Sequence, residues 1–330
     1  MTHLLSDQKR AGARSPRDEE ELSPSPSRRW GVILAGGDGT RLRALTKRIT
    51  GDDTPKQFCP LLGRETLLEQ TRRRVAPAIP PEQSLVVVTR THERFYSSHL
   101  ADVPAEQILV QPTNQGTAPA ILYSLLRLAG ERLNDAVAFF PSDHYFSDEI
   151  TFMDHVEAAF GAVAARPEMI VLLGMTPTGP ETGYGWIESD GPPPGRSPGA
   201  VSRVRRFWEK PRPALARSLL GRGCLWNSFV MVGRVSAFLE MTRRAVPDLY
   251  DAFAARRRTL GTRAEEGALR TLYRHVPPVN FSREVLAKRP GDLSVLRVGE
   301  VGWSDWGEPG RVLSTLAGLG VRTEWAASAG

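Results

Sequence analysis

The hydrophobic pattern of this chain changes texture near residue 29. Residues 1–28 mix charges with the Ser-Pro run SPSPSRR and show few apolar positions and no period, which predicts a disordered tail. From Trp30 onward, short apolar blocks bounded by Gly and Pro alternate with segments of helical spacing. WGVILAG (30–36), SLVVVT (84–89), QILVQP (107–112), DAVAFFP (135–141) and EMIVLLGM (168–175) read as strands. Between them, ETLLEQTRRRV (65–75), HERFYSSHL (92–100), TAPAILYSLLRLAGERL (117–133) and DEITFMDHVEAAFGAVAA (148–165) read as helices, the third opened by Thr117 as N-cap with Pro119 in its first turn. These strands are apolar throughout, so both of their faces are covered. That predicts an α/β fold with a mainly parallel sheet flanked by helices. In the second half, GYGWIES (183–189), VSRVRRFWEKP (201–211) and CLWNSFVMV (224–232) show one-sided alternation and read as antiparallel additions to the same sheet. EEGALRTLYRHV (265–276) is a helix, LSVLRVGEVGWSDWG (293–307) carries the last strand, and the Pro/Gly cluster at 191–199 is an exposed loop.

Composition narrows the class. The 330 residues allow one large or two modest domains, and 41% apolar with 24% charged residues is ordinary for a globular protein. No run reaches about 18 apolar residues and the N-terminus lacks an apolar leader core, so neither a membrane span nor secretion is expected. Cys59 and Cys224 are the two cysteines; a disulfide framework is not expected, both read as small buried hydrophobes, and a cytoplasmic setting follows. The net charge of +6 is dispersed over clusters such as Arg72–Arg74 and Arg256–Arg258, read as solvated helix faces. No nucleic-acid-binding signature accompanies them.

The candidate chemistry lies in LAGGDGTRL (34–42). Gly37-Asp38-Gly39 starts a dinucleotide fingerprint, but Leu42 stands at its third glycine, and the Walker ending Gly-Lys-Ser/Thr is absent. The cluster is therefore either a tight turn or a loop whose backbone N–H groups approach a polyanion, with Arg41 and Lys56 as cations. It follows a strand at its carboxyl end, where open α/β sheets bind ligands. Asp143, after FFPS, is either a helix N-cap or a Mg²⁺ ligand.

LAGGDGTRL followed by PKQF (55–58) resembles the signature of sugar-phosphate nucleotidyltransferases, and most of all their mannose-1-phosphate guanylyltransferase branch. The resemblance runs from about Trp30 to Pro309. It implies a Rossmann-like, GT-A-like nucleotidyltransferase domain at 29–310, with 311–330 as an extension packing on the core. It also implies a reaction in which a sugar-phosphate oxygen attacks the α-phosphorus of a nucleoside triphosphate and pyrophosphate leaves. The nucleophile is already anionic, so no general base is required. On this resemblance Leu34, Ala35, Gly36, Gly37, Gly39, Thr40, Arg41, Lys56, Gln111, Gly116, Thr117 and Asp143 bind the nucleotide. Gly183, Glu209, Lys210 and Asn227 bind the sugar phosphate, with Glu188 as a further acceptor. Arg41, Lys56 and Lys210 are the catalytic cations, and Asp143 and Asp305 hold Mg²⁺. His144, Trp303 and Trp306 read as structural.

The sequence departs from the family pattern in places. Gln115-Gly116 replaces the usual Arg-Asn before Thr-Ala-Pro-Ala, and Phe229 replaces the glycine of Trp-Asn-Ser-Gly. The segment between Thr46 and Pro55 is longer than usual and reads as a mobile lid. The expected substrates are GTP and mannose 1-phosphate. The alternatives are another base, glucose or heptose 1-phosphate, or a non-catalytic regulatory homologue. The expected partners are these small molecules and a second copy of the chain as a homodimer, with no nucleic acid and no membrane.

Overall fold

The computed structural model describes residues 28–130, 132–190 and 200–321. Residues 1–27 of the tail expected at 1–28, the loop at 191–199 and residues 322–330 lie outside them. In chain order the elements are β1 (Arg29–Leu34), α1 (Arg43–Thr50), α2 (Leu67–Val75), β2 (Ser84–Thr89), α3 (Glu93–Tyr96), β3 (Ile108–Gln111), α4 (Thr117–Leu128), β4 (Ala136–Pro141), α5 (Glu149–Ala165), β5 (Ile170–Met175), β6 (Gly185–Ser189), β7 (Val201–Glu209), α6 (Pro213–Gly221), β8 (Leu225–Arg234), α7 (Val235–Ala245), α8 (Pro247–Ala254), α9 (Glu265–Tyr273), β9 (Leu293–Val298) and α10 (Pro309–Gly318).

One nine-stranded sheet runs in the order β3-β2-β1-β4-β8-β5-β9-β7-β6, with β6 folding back to pair with β8 as well. The first four strands are parallel. The period of two along each strand fills both faces. Val32, Val87 and Phe139 point into a core shared with α4, α7, α8 and α9. Their neighbours Ile33, Val86, Val88 and Phe140 point into a second core under α2 and α5. That explains the unbroken apolar texture of these strands.

Several expectations change. β8 joins the sheet antiparallel as expected, but it sits between β4 and β5 and is buried on both faces rather than one, while β9 runs parallel to β5. The last strand ends at Val298, and the residues after it form a loop that touches Tyr145 through Ser304. The expected lid at 46–55 is half helix, because α1 runs to Thr50 and closes on left-handed Gly51. Thr117 is not the N-cap of α4. Gly116 caps it, and the Thr117 hydroxyl instead accepts from the Phe281 N–H at 2.8 Å. α6, α7 and α8 carry no signal strong enough to stand out beside the strands.

Arg74 is 5% exposed rather than solvated. It pairs with Glu149 at 3.0 Å and lies over the Phe146 ring. α10 seats Val312 and Leu316 in a third apolar cluster with Leu42, Leu61, Tyr145 and Trp306. Cys59 and Cys224 are free and buried, and burial pushes the Cys59 thiol up to about 12, which leaves it inert. Among the described residues no helix is long and apolar enough to cross a membrane.

Candidate active site

Three parallel strands deliver the candidate residues to one edge of the sheet. β1 ends into the glycine loop, β4 into Ser142-Asp143, and β3 ends at Gln111. Between them opens a cavity of about 350 Å³, lined among others by Leu34, Gly36, Gly37, Gln111, Gly116, Thr117 and Asp143.

The glycine loop is held from behind. Gln57 Nε2 donates to the carbonyls of Ala35 and Gly37 at 2.9 and 2.8 Å, and Thr89 Oγ1 donates to that of Gly36 at 3.0 Å. With the carbonyls engaged, the N–H groups of Gly36, Gly37 and Asp38 keep no partner among the described residues, the condition for an anion nest. Gly39 is left-handed at φ +59°, and a Cβ there would lie 2.9 Å from the Lys56 backbone nitrogen. A Cβ at Gly37 would meet nothing within 4 Å, so that position faces open space.

Lys56 ties the two expected metal ligands together. It is 4% exposed; its Nζ lies 3.1 Å from Asp143 Oδ2 and donates to the backbone carbonyl of Asp305. Asp305 Oδ1 is crowded, accepting from Tyr184 Oη at 3.0 Å, the Gly307 N–H at 2.9 Å and Arg311 at 2.7 Å. Burial alone would raise the Asp305 pKa, but the positive potential of His144, Lys56 and Arg311 and the Gly307 N–H outweigh it, so the carboxyl is held below its ordinary value. Arg41 is exposed beside the same loop, its Nη2 3.1 Å from where a Gly307 Cβ would stand.

His144, expected to be structural, is held by its neighbours. Its Nδ1 accepts from Trp303 Nε1 at 3.2 Å, and burial pushes its pKa down to about 4, so the ring is neutral. Trp306 stacks on Tyr145 with ring centroids 4.7 Å apart.

The sugar-side candidates form a second group, joined to the first through Tyr184. The Lys210 N–H donates to the Tyr184 carbonyl at 3.1 Å while the Tyr184 hydroxyl reaches Asp305. Gly185 makes room for Glu209 and Asn227: a Cβ there would lie 3.2 Å from both Glu209 Oε2 and Asn227 Cβ. Burial raises the Glu209 pKa against the opposing charges of Lys210 and Arg283. Gly183 faces the Arg311 guanidinium, 3.2 Å from a Cβ placed on it. Glu188 turns away to Arg222 at 3.0 Å, which commits it elsewhere.

An independent marker converges on the same place. Among the described residues, the non-glycine positions with positive φ are Lys210 (48°), Phe229 (61°) and Trp306 (41°). All three adjoin the candidate residues. Strain of about 1–2 kcal/mol each is tolerated where surrounding structure over-determines the backbone, as at functional sites.

Sequence reasoning missed Gln57, Tyr184, Glu181 and Arg311. Gln57 lies inside PKQF and was legible as part of that tag. Arg311, paired with Glu181 at 2.8 Å as well as with Asp305, sits in a helix with no motif of its own.

Among the described residues no group of three or more His, Cys, Asp or Glu forms a metal cluster. The donors present still fit a hard, phosphate-bridged cation, which takes few protein carboxylates and fills its shell with phosphate and water. Asp305 Oδ2 has no hydrogen-bond partner among the described residues, and Asp143 Oδ1 has only His144 Nε2 at 3.9 Å. These are the two oxygens available.

The chain is similar to known proteins over most of its length. The Xanthan biosynthesis protein XanB of Xanthomonas campestris pv. campestris (strain B100) is 37% identical over 224 residues, 67% of this chain and 45% of its own length. Mannose-1-phosphate guanylyltransferase ManC of Salmonella typhimurium is 29% identical over 286 residues, 84% of this chain and 57% of its own. The chain thus spans about half the length of the curated relatives it matches. A crystal structure of mannose-1-phosphate geranyltransferase from Thermus thermophilus superposes with a TM-score of 0.73 at 29% identity, covering 87% of this chain and 79% of that one. Nucleotidyltransferases of this kind generally use a divalent metal. The nucleotidyl transferase family pattern matches residues 30–315, and the chain belongs to that family.

Proposed function

We propose that this chain transfers GMP from GTP to mannose 1-phosphate in the cytoplasm, giving the nucleotide sugar and pyrophosphate, within a nucleotidyltransferase domain at 29–310. The observation that carries this reading is the convergence of Lys56, Asp143 and Asp305 beside a glycine loop in which the Gly36, Gly37 and Asp38 N–H groups have no partner among the described residues. The free N–H groups of Gly36 and Gly37 receive the triphosphate. Arg41 and Lys56 offset the charge that develops on the leaving pyrophosphate. Lys210 holds the attacking phosphate, whose oxygen bonds to the α-phosphorus as the bond to the β-phosphate oxygen breaks with its electron pair. Glu209 and Asn227, grouped about Gly185, accept and donate to sugar hydroxyls. His144 stays neutral, held by Trp303, and moves no proton. A bound Mg²⁺, held by Asp143 and Asp305, would neutralise charge on the reacting phosphate oxygens. Catalysis then rests on alignment and charge neutralisation.

A second reading keeps the reaction and changes a substrate. Gly116 leaves no side chain where the family has asparagine, and the Phe229 ring stands in the cleft where it has glycine. Both favour a sugar or base other than the expected pair. A matrix of GTP, ATP, CTP, UTP and dTTP against mannose, glucose and heptose 1-phosphates, scored by pyrophosphate release with Mg²⁺, tests the proposal. The expected maximum is GTP with mannose 1-phosphate. Release in no cell of the matrix would remove the transferase reading.

A further inference from the structure

The carboxylates beside the glycine loop are neutralised before any ligand arrives, and one of the cations that does this lies outside every motif. Arg311 stands in the first turn of α10, the helix that seats Val312 and Leu316 against Leu42, Leu61, Tyr145 and Trp306. Trp306 Nε1 donates to Thr315 Oγ1 at 3.0 Å, and that hydroxyl donates to the Arg311 carbonyl at 2.9 Å, so this turn of the helix is pinned. The guanidinium spans two carboxylates from different parts of the chain. Its Nη1 donates to Asp305 Oδ1 at 2.7 Å and its Nη2 to Glu181 Oε2 at 2.8 Å, while Cζ lies 4.5 Å from the centroid of the Tyr184 ring. The Arg311 side chain is 18% exposed and that of Asp305 13%, so salt and solvent screen the pair only weakly.

The charges about the two available carboxylate oxygens balance. Asp143, Asp305 and Glu181 are matched one for one by Lys56, Arg311 and Arg41. Lys56 Nζ lies 3.1 Å from Asp143 Oδ2 and donates to the Asp305 carbonyl, and Arg41 Nη2 and Asp305 Oδ2 both crowd the place of a Gly307 Cβ. A hard divalent cation draws its affinity from the charge its ligands bring. Carboxylates that are already answered bring little, and in a half-dry cleft a fixed guanidinium repels an arriving cation strongly. A triphosphate reverses this balance, because it carries its own negative charge to the same place.

We propose that Arg311 is a charge gate on the metal site: by filling Asp305 Oδ1 it keeps the nucleotide-free carboxylates from holding a divalent cation, so that the cation is taken only together with the triphosphate. This rests on the reading of Asp143 and Asp305 as metal ligands given above. Arg311 is a positioning residue: it touches Asp305, not the reacting phosphates. With Oδ1 taken by Arg311, Tyr184 and the Gly307 N–H, Oδ2 is the oxygen left to face the cleft. Arginine suits the task because its planar fork reaches both carboxylates at once and keeps its charge at any working pH.

Mn²⁺ titrated into nucleotide-free protein and followed by electron paramagnetic resonance tests this without turnover. Wild-type protein binds Mn²⁺ with a Kd of about 1 mM or weaker. Arg311→Gln tightens binding by about tenfold or more, the direction opposite to that of simple damage to the site. Arg311→Lys, which restores the charge, brings the affinity back to within about threefold of wild type. Asp305→Asn added to Arg311→Gln abolishes the gain, which places the ion on this carboxylate. Wild type mixed with a non-hydrolysable GTP analogue acquires a protein-bound Mn²⁺ signal in water-proton relaxation. Micromolar Mn²⁺ binding by nucleotide-free wild type overturns the proposal, as does an Arg311→Gln protein that binds no tighter. Should Arg311→Gln fail to fold, Arg311→Met, which keeps the stem over Tyr184, carries the same comparison, and tight binding by wild type overturns the gate in either case. A gain in Arg311→Gln with no pyrophosphate released from any substrate pair would sink the transfer reaction and keep the gate. Pyrophosphate release by a wild type that already holds Mn²⁺ tightly would do the opposite.

Discussion

The nucleotide side of the cleft and the metal-and-sugar side are built on opposite plans. On the nucleotide side the protein withholds atoms: Gly37 faces empty space, Gly116 has no room for a Cβ against the Val279 carbonyl, and the Gln111 amide has a free end. On the other side it supplies an excess of charge that is already self-compensated. Lys56 is spent on Asp143, Arg311 on Asp305 and Glu181, and the Tyr184 hydroxyl on Asp305. The first arrangement is preorganised by backbone. The second must exchange internal ion pairs for ligand contacts, so its residues answer jointly for stability and for turnover. The difference teaches that a substitution on the nucleotide side can separate binding from folding, whereas one on the metal side rarely will.

The strongest way to break the comparison is at the carboxylates. Asp143→Asn or Asp305→Asn lowers Mg²⁺-dependent pyrophosphate release by about 10²–10³ or more, by analogy with lost charge-stabilising groups. Of the two, Asp305→Asn also lowers the melting temperature, since it strips Arg311 of a partner. Normal turnover in either variant would remove the metal assignment.

Next comes a pair of glycines that differ only in what lies beside them. Gly37→Ala leaves stability within about 0.5 kcal/mol and lowers kcat/KM by about 10–100-fold, because the methyl occupies ligand space. Gly39→Ala destabilises by about 1–3 kcal/mol, since the methyl meets Lys56 in a left-handed turn. Thermal melts of the two side by side check this, and equal shifts would count against the loop geometry.

Glu209→Gln raises the KM for the sugar 1-phosphate about tenfold. It also changes a pH slope. Burial holds the folded Glu209 pKa above its ordinary 4.5, so the stability this group contributes is present below pH 4.5 and lost as pH rises through the folded value. Urea midpoints at pH 4 and 7 converge in the Gln variant relative to wild type. An unchanged difference would mean Glu209 is not buried as described.

The smallest effect belongs to Phe229→Gly. Release of about 1–2 kcal/mol of left-handed strain opposes the lost packing against Phe281, so net stability moves by about 1 kcal/mol or less. The KM for sugar 1-phosphate shifts about threefold, which the substrate matrix reads directly. No shift for any sugar would place the ring outside the sugar's reach.

Much of the nucleotide side was legible because its parts are contiguous: a strand, a glycine loop and an arginine within thirteen residues, and a strand-turn-helix at Gln111–Thr117. Thr117 shows the limit. Its place before an apolar helix suggested a cap, yet its hydroxyl serves Phe281, a residue 164 positions away. The charge clusters misled similarly, since Arg72–Arg74 look alike in sequence: Arg73 reaches Glu149 from the surface, whereas Arg74 is buried between Glu149 and the Phe146 ring. Arg311 and Tyr184 carried no local signal because their role exists only through Asp305.

The sequence by itself determined the alternating α/β layout, the doubly covered parallel strands and the glycine turn at the end of the first strand, because hydrophobic period, glycine conformation and turn chemistry are local properties. Only the tertiary structure decided that β8 lies at the centre of the sheet and which charge answers which carboxylate. Ion pairing and hydrogen-bond direction depend on distances between segments far apart in the chain, and no local pattern encodes those distances.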